Sequence, residues 1–184
     1  GTTFPSREAY LSYLQGKKLE LADLSRRNWK TSLSDAFGSG FAVYTPRMPN
    51  GQDARYMEWK VWFEKILNLL EDDVILVGHS LGGIFLLKYL AENEPLRTVR
   101  GTYCIAPPYF EVGGTAYEGE EYIGDFALPN NLSSVAERAG RLTFYFSSDD
   151  FIVPISHADR YAVKLPAAAM CRFEDRGHFL QEEF

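Results

Sequence analysis

The chain has 184 residues, a net charge of −6 and 46% hydrophobic residues, which suits one globular domain with a substantial core. No apolar run reaches the ~20 residues of a membrane-spanning helix, the N-terminus shows no charged-then-apolar leader pattern, and no basic cluster offers a grip on a nucleic-acid backbone. The two cysteines, Cys104 and Cys171, exclude a disulfide framework or a four-cysteine zinc site and point to a reducing, cytoplasmic setting.

Strand-like and helix-like segments alternate along the chain, with no internal repeat. Residues 6–15 read as a helix, with Ser6 as N-cap and Glu8 in the first turn. Residues 41–44 (FAVY) read as a short strand closed by Thr45-Pro46, and Pro46, Pro49 and Gly51 mark a loop. Residues 54–70 space Met57, Val61, Phe63, Ile66, Leu67 and Leu70 as a helix. A strand over 73–77 then leads into a helix over 81–92. The strand 99–105 follows and ends at Ala106-Pro107-Pro108. Residues 132–139 and 156–164 read as helices, and 142–146 and 168–173 as strands. Trp29, Trp59 and Trp62 are assigned to the core. This alternation predicts one α/β domain over 1–184, a three-layer α/β/α arrangement around a mostly parallel sheet with right-handed crossovers.

Residues 107–130 lack a clear period and are long for a loop in a compact domain. They read either as a passive surface loop or as a short lid or pocket wall bearing Tyr109, Phe110, Tyr117, Tyr122 and Phe126. Glu118, Glu120, Glu121 and Asp125 would give that segment an affinity for a cationic group.

Gly78-His79-Ser80-Leu81-Gly82-Gly83 lies between the β-branched run Val74-Ile75-Leu76-Val77 and the helical run 84–91. A G-x-S-x-G sequence at a strand-to-helix junction is the pattern of a nucleophile elbow, which exposes the serine hydroxyl on a tight turn. Gly78 and Gly82 are expected to let the helix approach the strand. The Leu81 N–H, at the helix N-terminus, is the expected oxyanion donor. Serine needs a base to take its proton, and the chain has three histidines. His79 adjoins Ser80, so its ring must point elsewhere, as a structural or pocket-lining group. His157, at a helix start, reads as solvated or capping. His178, in the loop after the last strand, is the best base. A base of this kind needs a carboxylate to orient it. Asp149 and Asp150 follow the strand 142–146. Asp150 is preferred because Phe151-Ile152-Val153-Pro154 can seat its turn against the core, with Phe151 lining the pocket. All three positions lie beyond carboxyl ends of strands, where doubly wound sheets build their sites. The nucleotide-binding rivals find no G-x-x-x-x-G-K-[ST] or G-x-G-x-x-G, and a metal site finds no H-E-x-x-H. No cofactor is expected.

The elbow at 78–83, the segment Ser147-Ser148-Asp149-Asp150-Phe151-Ile152-Val153-Pro154 and the loop Gly177-His178-Phe179 together resemble the α/β-hydrolase superfamily. Within it, the compact length and the D-x-x-V-P and G-H-F signatures are similar to the small single-domain serine hydrolases related to retinoblastoma-binding protein 9. The resemblance spans roughly residues 40–180. It implies a fold without a large cap domain and a triad of Ser80 as nucleophile, Asp150 as orienter and His178 as base. It also implies an acyl-enzyme formed from a small ester, thioester or amide. A second oxyanion donor from the loop before the first helix falls on the backbone of Thr2. Two other functions share these residues: a catalytically silent binding or regulatory protein on the same scaffold, and an acyltransferase using the same triad. The chain reads as short at both ends, beginning inside that loop and closing on what looks like the opening of a helix. The implied strand order puts 142–146 between the two cysteines, about 9–10 Å apart across two strand spacings. That exceeds the ~7 Å reach of a disulfide and predicts free thiols.

Overall fold

A computed structural model describes residues 1–18, 29–113 and 123–181. In chain order the helices are α1 (Arg7–Gly16), α2 (Trp29–Phe37), α3 (Tyr56–Leu67), α4 (Leu81–Glu92), α5 (Ser133–Arg138) and α6 (Ser156–Lys164). The strands are β1 (Val74–His79), β2 (Val99–Ile105), β3 (Arg141–Ser147) and β4 (Ala169–Phe173). They form one four-stranded sheet in the order β1-β2-β3-β4, and every pair is parallel. Four successive carboxyl ends therefore open on one edge of the domain. The residues that follow them carry the features of interest.

Side chains alternate across the sheet with period two. Cys104, Phe144 and Phe146 join the main core with α3, α4, α5 and α6. Ile105 and Tyr145 face the other way, toward Trp29 of α2 and Phe179. The centre of the main core is aromatic. Phe85 and Tyr89 of α4 meet Phe63 of α3 at ring separations of 5.3 and 5.1 Å, both edge-on. Trp59 and Phe126 approach edge-on at 5.2 Å, the geometry that aromatic quadrupoles favour. α4 is covered almost all round, with nine buried residues, which explains its nearly unbroken apolar sequence. Trp29 and Trp59 are buried as expected, whereas Trp62 on the outer face of α3 is exposed.

Three expectations change. Residues 41–44 form no strand, and Phe41 and Tyr44 are exposed; alternation of apolar residues makes a strand only where a ladder partner is in register. α2 was not foreseen, because its sequence WKTSLSDAF has no strong apolar stripe. The 107–130 segment, read as a loop, lid or pocket wall, is packed into the domain at its described ends. Tyr117, Tyr122, Glu118, Glu120 and Glu121 lie outside the described residues, but Glu111 and Leu128 form a β-bridge, and Phe126 and Leu128 are fully buried. Asp125 does not await a cation. Both its carboxylate oxygens accept from the Tyr56 N–H at 3.0 Å, so it caps α3, whose own N-cap Arg55 makes no side-chain bond. β3 lies between β2 and β4, and Cys104 and Cys171 are free thiols.

The β1–α4 junction shows which glycines the turn requires. A Cβ at Gly78 would lie 2.5 Å from the Gly82 carbonyl oxygen, and one at Gly83 would lie 2.8 Å from Pro107 Cβ. A Cβ at Gly82 would meet nothing within 4 Å. The close approach thus rests on Gly78 and Gly83, not on Gly82. G82A should fold with wild-type stability within about 1 kcal/mol, the intrinsic helix-propensity scale. G78A and G83A should lower the urea midpoint sharply, since backbone or a rigid proline must move to admit the methyl group.

Candidate active site

Ser80 sits between β1 and α4 with φ 55° and ψ −124°, a conformation in which a non-glycine residue is strained by about 1–3 kcal/mol. The turn is held from several sides. The Ser80 N–H donates to the Ile105 carbonyl at the end of β2 over 2.8 Å, and its own carbonyl accepts from Gly83 N–H over 2.8 Å. Leu81 follows as the first residue of α4, a position whose N–H has no acceptor within the helix. Its amide is thus the donor expected from the sequence. Positive φ recurs at Ala106 after β2 and at Phe179 directly after His178, so backbone strain gathers around this edge of the sheet.

Asp150 and His178 meet. His178 Nδ1 lies 2.8 Å from Asp150 Oδ2, and both residues are buried. The second carboxylate oxygen, Oδ1, accepts from the N–H groups of Ile152 and Val153 at 2.8 and 2.9 Å. That turn fixes the carboxylate and throws Phe151 outward, to 83% exposure. Asp149, the alternative weighed from sequence, does something else. Its Oδ1 accepts from the Ser147 hydroxyl and from the Gly177 N–H at 2.8 Å, and Ser147 Oγ accepts from Arg176 N–H. These bonds tie the β3 end to the turn that carries His178 and hold the Asp149 carboxyl below its ordinary range. Ser80 Oγ and His178 Nε2 are not hydrogen-bonded to each other among the described contacts. Such bonds are commonly long without substrate and tighten in the complex.

His79 is engaged at both ring nitrogens. Its Nε2 lies 2.8 Å from the His178 carbonyl oxygen and its Nδ1 lies 3.0 Å from Lys30 Nζ. Burial, and next the Lys30 charge, push its pKa down to about 3. Two further bonds fasten the same loop to α2, from Trp29 Nε1 to the Phe179 carbonyl at 3.0 Å and from Trp29 N–H to the Gln181 carbonyl at 3.2 Å. No motif marked these α2 contacts in the sequence.

Other predicted positions move. The Thr2 N–H, expected as second oxyanion donor, already donates to the Gly51 carbonyl at 3.0 Å, while Thr2 O accepts from Ala54 N–H. The N-terminal segment does reach the elbow, because a Cβ at Gly1 would stand 3.1 Å from Leu81 Cδ2. Tyr109 is buried edge-on against Tyr161 at 4.8 Å rather than lining an opening. Phe110 packs edge-on against His157 at 5.9 Å. His157 is neither solvated nor a cap for its helix. It is buried, and its Nδ1 accepts from the Tyr109 N–H at 2.7 Å, pinning the chain where it leaves β2. Among the described residues no cluster of three His, Cys, Asp or Glu side chains could hold a metal ion, and no helix is long and apolar enough to cross a membrane.

A parallel sheet with a strained serine at one carboxyl end and a buried Asp–His pair at two others defines the α/β-hydrolase class. The chain belongs to the serine hydrolase family, whose profile matches residues 21–183. It is 26% identical over 145 residues to the serine hydrolase RBBP9 of Rattus norvegicus, covering 79% of this chain and 73% of that one. It is 29% identical over 137 residues to YdeN of Bacillus subtilis, covering 74% and 69% respectively. The crystal structure of the ydeN gene product superposes with a TM-score of 0.66 at 23% identity, over 83% of this chain and 77% of that one. A YdeN-like hydrolase from Pectobacterium atrosepticum gives 0.58 at 17% identity, over 84% and 72%; both likenesses are of fold.

The His79 environment sets a pH dependence. Its folded-state pKa is about 3 against an ordinary 6.5, so the unfolded chain binds the proton first on acidification. The associated stability is complete above pH 6.5 and drains away as the pH falls toward 3. In H79Q, whose amide can still donate to the His178 carbonyl, urea midpoints should fall less between pH 6.5 and 4 than in the wild type.

Proposed function

We propose that this hydrolase cleaves a small ester, thioester or amide through an acyl-enzyme on Ser80, with His178 as base and Asp150 as its orienting partner. The 2.8 Å bond between His178 Nδ1 and Asp150 Oδ2 carries this reading. It leaves Nε2 as the nitrogen available to the nucleophile and supplies a carboxylate to stabilise the imidazolium. Ser80 Oγ attacks the carbonyl carbon as its proton passes to His178 Nε2. The tetrahedral oxyanion is met by the Leu81 N–H and the α4 dipole. His178 then gives the proton to the departing alcohol, thiol or amine, whose bond to the acyl carbon breaks. Water, deprotonated by His178, attacks the acyl carbon; the bond from that carbon to Ser80 Oγ breaks as His178 returns the proton to Oγ, releasing the acid and the free enzyme. Another acceptor in place of water would make the same steps a transfer.

The N-terminal segment supports a second oxyanion donor, but not at the Thr2 amide. Thr3, the next residue, is buried and its hydroxyl has no hydrogen-bond partner, which makes it the better candidate. The substrate belongs to the small acyl class.

A fluorophosphonate probe should label the wild type at Ser80 and leave S80A unlabelled. D150N should keep the fold and lose about 10⁴ in kcat. Wild-type protein that is folded yet unlabelled would overturn this reading.

Phe151 stands exposed one residue from Asp150. We assign that ring to the apolar end of a substrate, because the turn at Asp150 holds it out of the core. F151A should reduce kcat/KM for a p-nitrophenyl octanoate ester by about 5–20-fold, the 1–2 kcal/mol scale of lost apolar contact. It should leave the acetate ester nearly unchanged.

A further inference from the structure

The bonds around His79 form a chain that starts on a different element from any residue of the proposed triad. Lys30 lies in the first turn of α2, and its Nζ stands 3.0 Å from His79 Nδ1. An ammonium has three donors and no acceptor, so His79 Nδ1 must accept. The ring proton then resides on Nε2, which donates to the His178 carbonyl over 2.8 Å. The cation on α2 and the His178 carbonyl thus favour the same tautomer of His79 from opposite sides of the ring, and that tautomer holds the backbone at His178. The ring of His79 also lies 4.9 Å, centroid to centroid, from the ring of His178. A protonated His79 would place a second positive charge beside the imidazolium that must form on His178 during acyl transfer.

We propose that Lys30 is a positioning residue for the base: acting through His79, it clamps the His178 carbonyl and keeps a competing positive charge away from the His178 ring. This rests on His178 being the base. The charged and titratable groups facing His79 are Lys30 on α2 and the His178 ring on the loop after β4. Both charges oppose protonation of His79, Lys30 more strongly and second only to burial itself. The indole of Trp29 stands edge-on to the His79 ring at 6.2 Å, an apolar neighbour beside the lysine. The same α2 turn thereby brings an apolar wall, a cation and, through Trp29, two bonds to the carbonyls of Phe179 and Gln181.

The test uses the full chain and two variants. K30M removes both donor and charge, whereas K30Q keeps an amide donor without the charge. Nitrogen-15 NMR of the histidine rings between pH 4.5 and 8 reads the His79 tautomer and titration directly. The pH profile of kcat/KM on p-nitrophenyl acetate reads the consequence. Wild-type His79 should stay neutral with its proton on Nε2 throughout. In K30M it should titrate within this range or populate the other tautomer, and kcat/KM should fall at least tenfold below pH 6 with a smaller loss at pH 8. K30Q should keep the Nε2–H tautomer at pH 8 yet titrate on acidification. An unchanged His79 in both variants overturns the proposal, whatever the rates do, since Lys30 would then act elsewhere. A changed His79 with an unaltered pH–rate profile overturns it as well. Should one variant fail to fold, the other still decides the point. The NMR arm is independent of turnover. An inactive but folded wild type would therefore refute the reading of His178 as base through absent Ser80 labelling, and leave the clamp itself measurable.

Discussion

The left-handed backbone at Ser80 is the constraint around which this domain is arranged. A serine at φ 55° is strained, and it persists because its surroundings over-determine it. β1 and α4 can meet at so sharp an angle only because Gly78 lets the Gly82 carbonyl approach and Gly83 lets Pro107 approach. The Ser80 amide is then held by the end of β2. α4, buried almost all round, supplies the apolar burial that offsets the strain, at about 25 cal/mol per Å². The result is a hydroxyl lifted above the sheet at the head of a helix dipole.

The loop bearing His178 faces the complementary problem, because it has no regular structure of its own. Five residues hold it. Asp150 binds the ring, Asp149 and Ser147 bind the turn just before it, and His79 and Trp29 bind the backbone carbonyls at and after it. The tethers come from three places in the fold: the β3 end, the elbow itself and α2. A histidine held this way loses little freedom on reaching a fixed geometry, which is where positioned groups gain most. The two adjacent aspartates divide the labour by direction. One carboxylate points into the protein toward the imidazole, and its neighbour points along the surface toward the Gly177 amide.

Much of this was legible in the chain itself because it depends on local order. Strand-helix alternation gave the parallel sheet, and G-x-S-x-G marked the elbow. Asp150 was separable from Asp149 by the apolar residues that follow it. What escaped involved partners distant in sequence. Gly82 fits the motif, yet Gly83 makes the tight contact because Pro107, across the elbow, decides which glycine is crowded. The Thr2 amide looked available, but Gly51, 49 residues away, accepts its proton. His157 at a helix start resembled a capping or solvated group until the chain leaving β2 folded over it. Asp125 looked like a surface acid and proved to be the cap of a helix far upstream. α2 showed no apolar stripe to announce it, since its contribution comes mainly from Trp29 and Lys30 rather than from a continuous face.

By itself the sequence determined the fold class, the serine at the turn and which aspartate and histidine face each other. These follow from periodicity, turn chemistry and chain order, which are properties of neighbours along the chain. Only the tertiary structure decided which amides are already engaged, which histidine is held neutral, and how α2 engages the loop of His178. A hydrogen bond or a desolvated charge between residues tens of positions apart depends on distances that the packing of sheet and helices sets, and no local pattern encodes those distances.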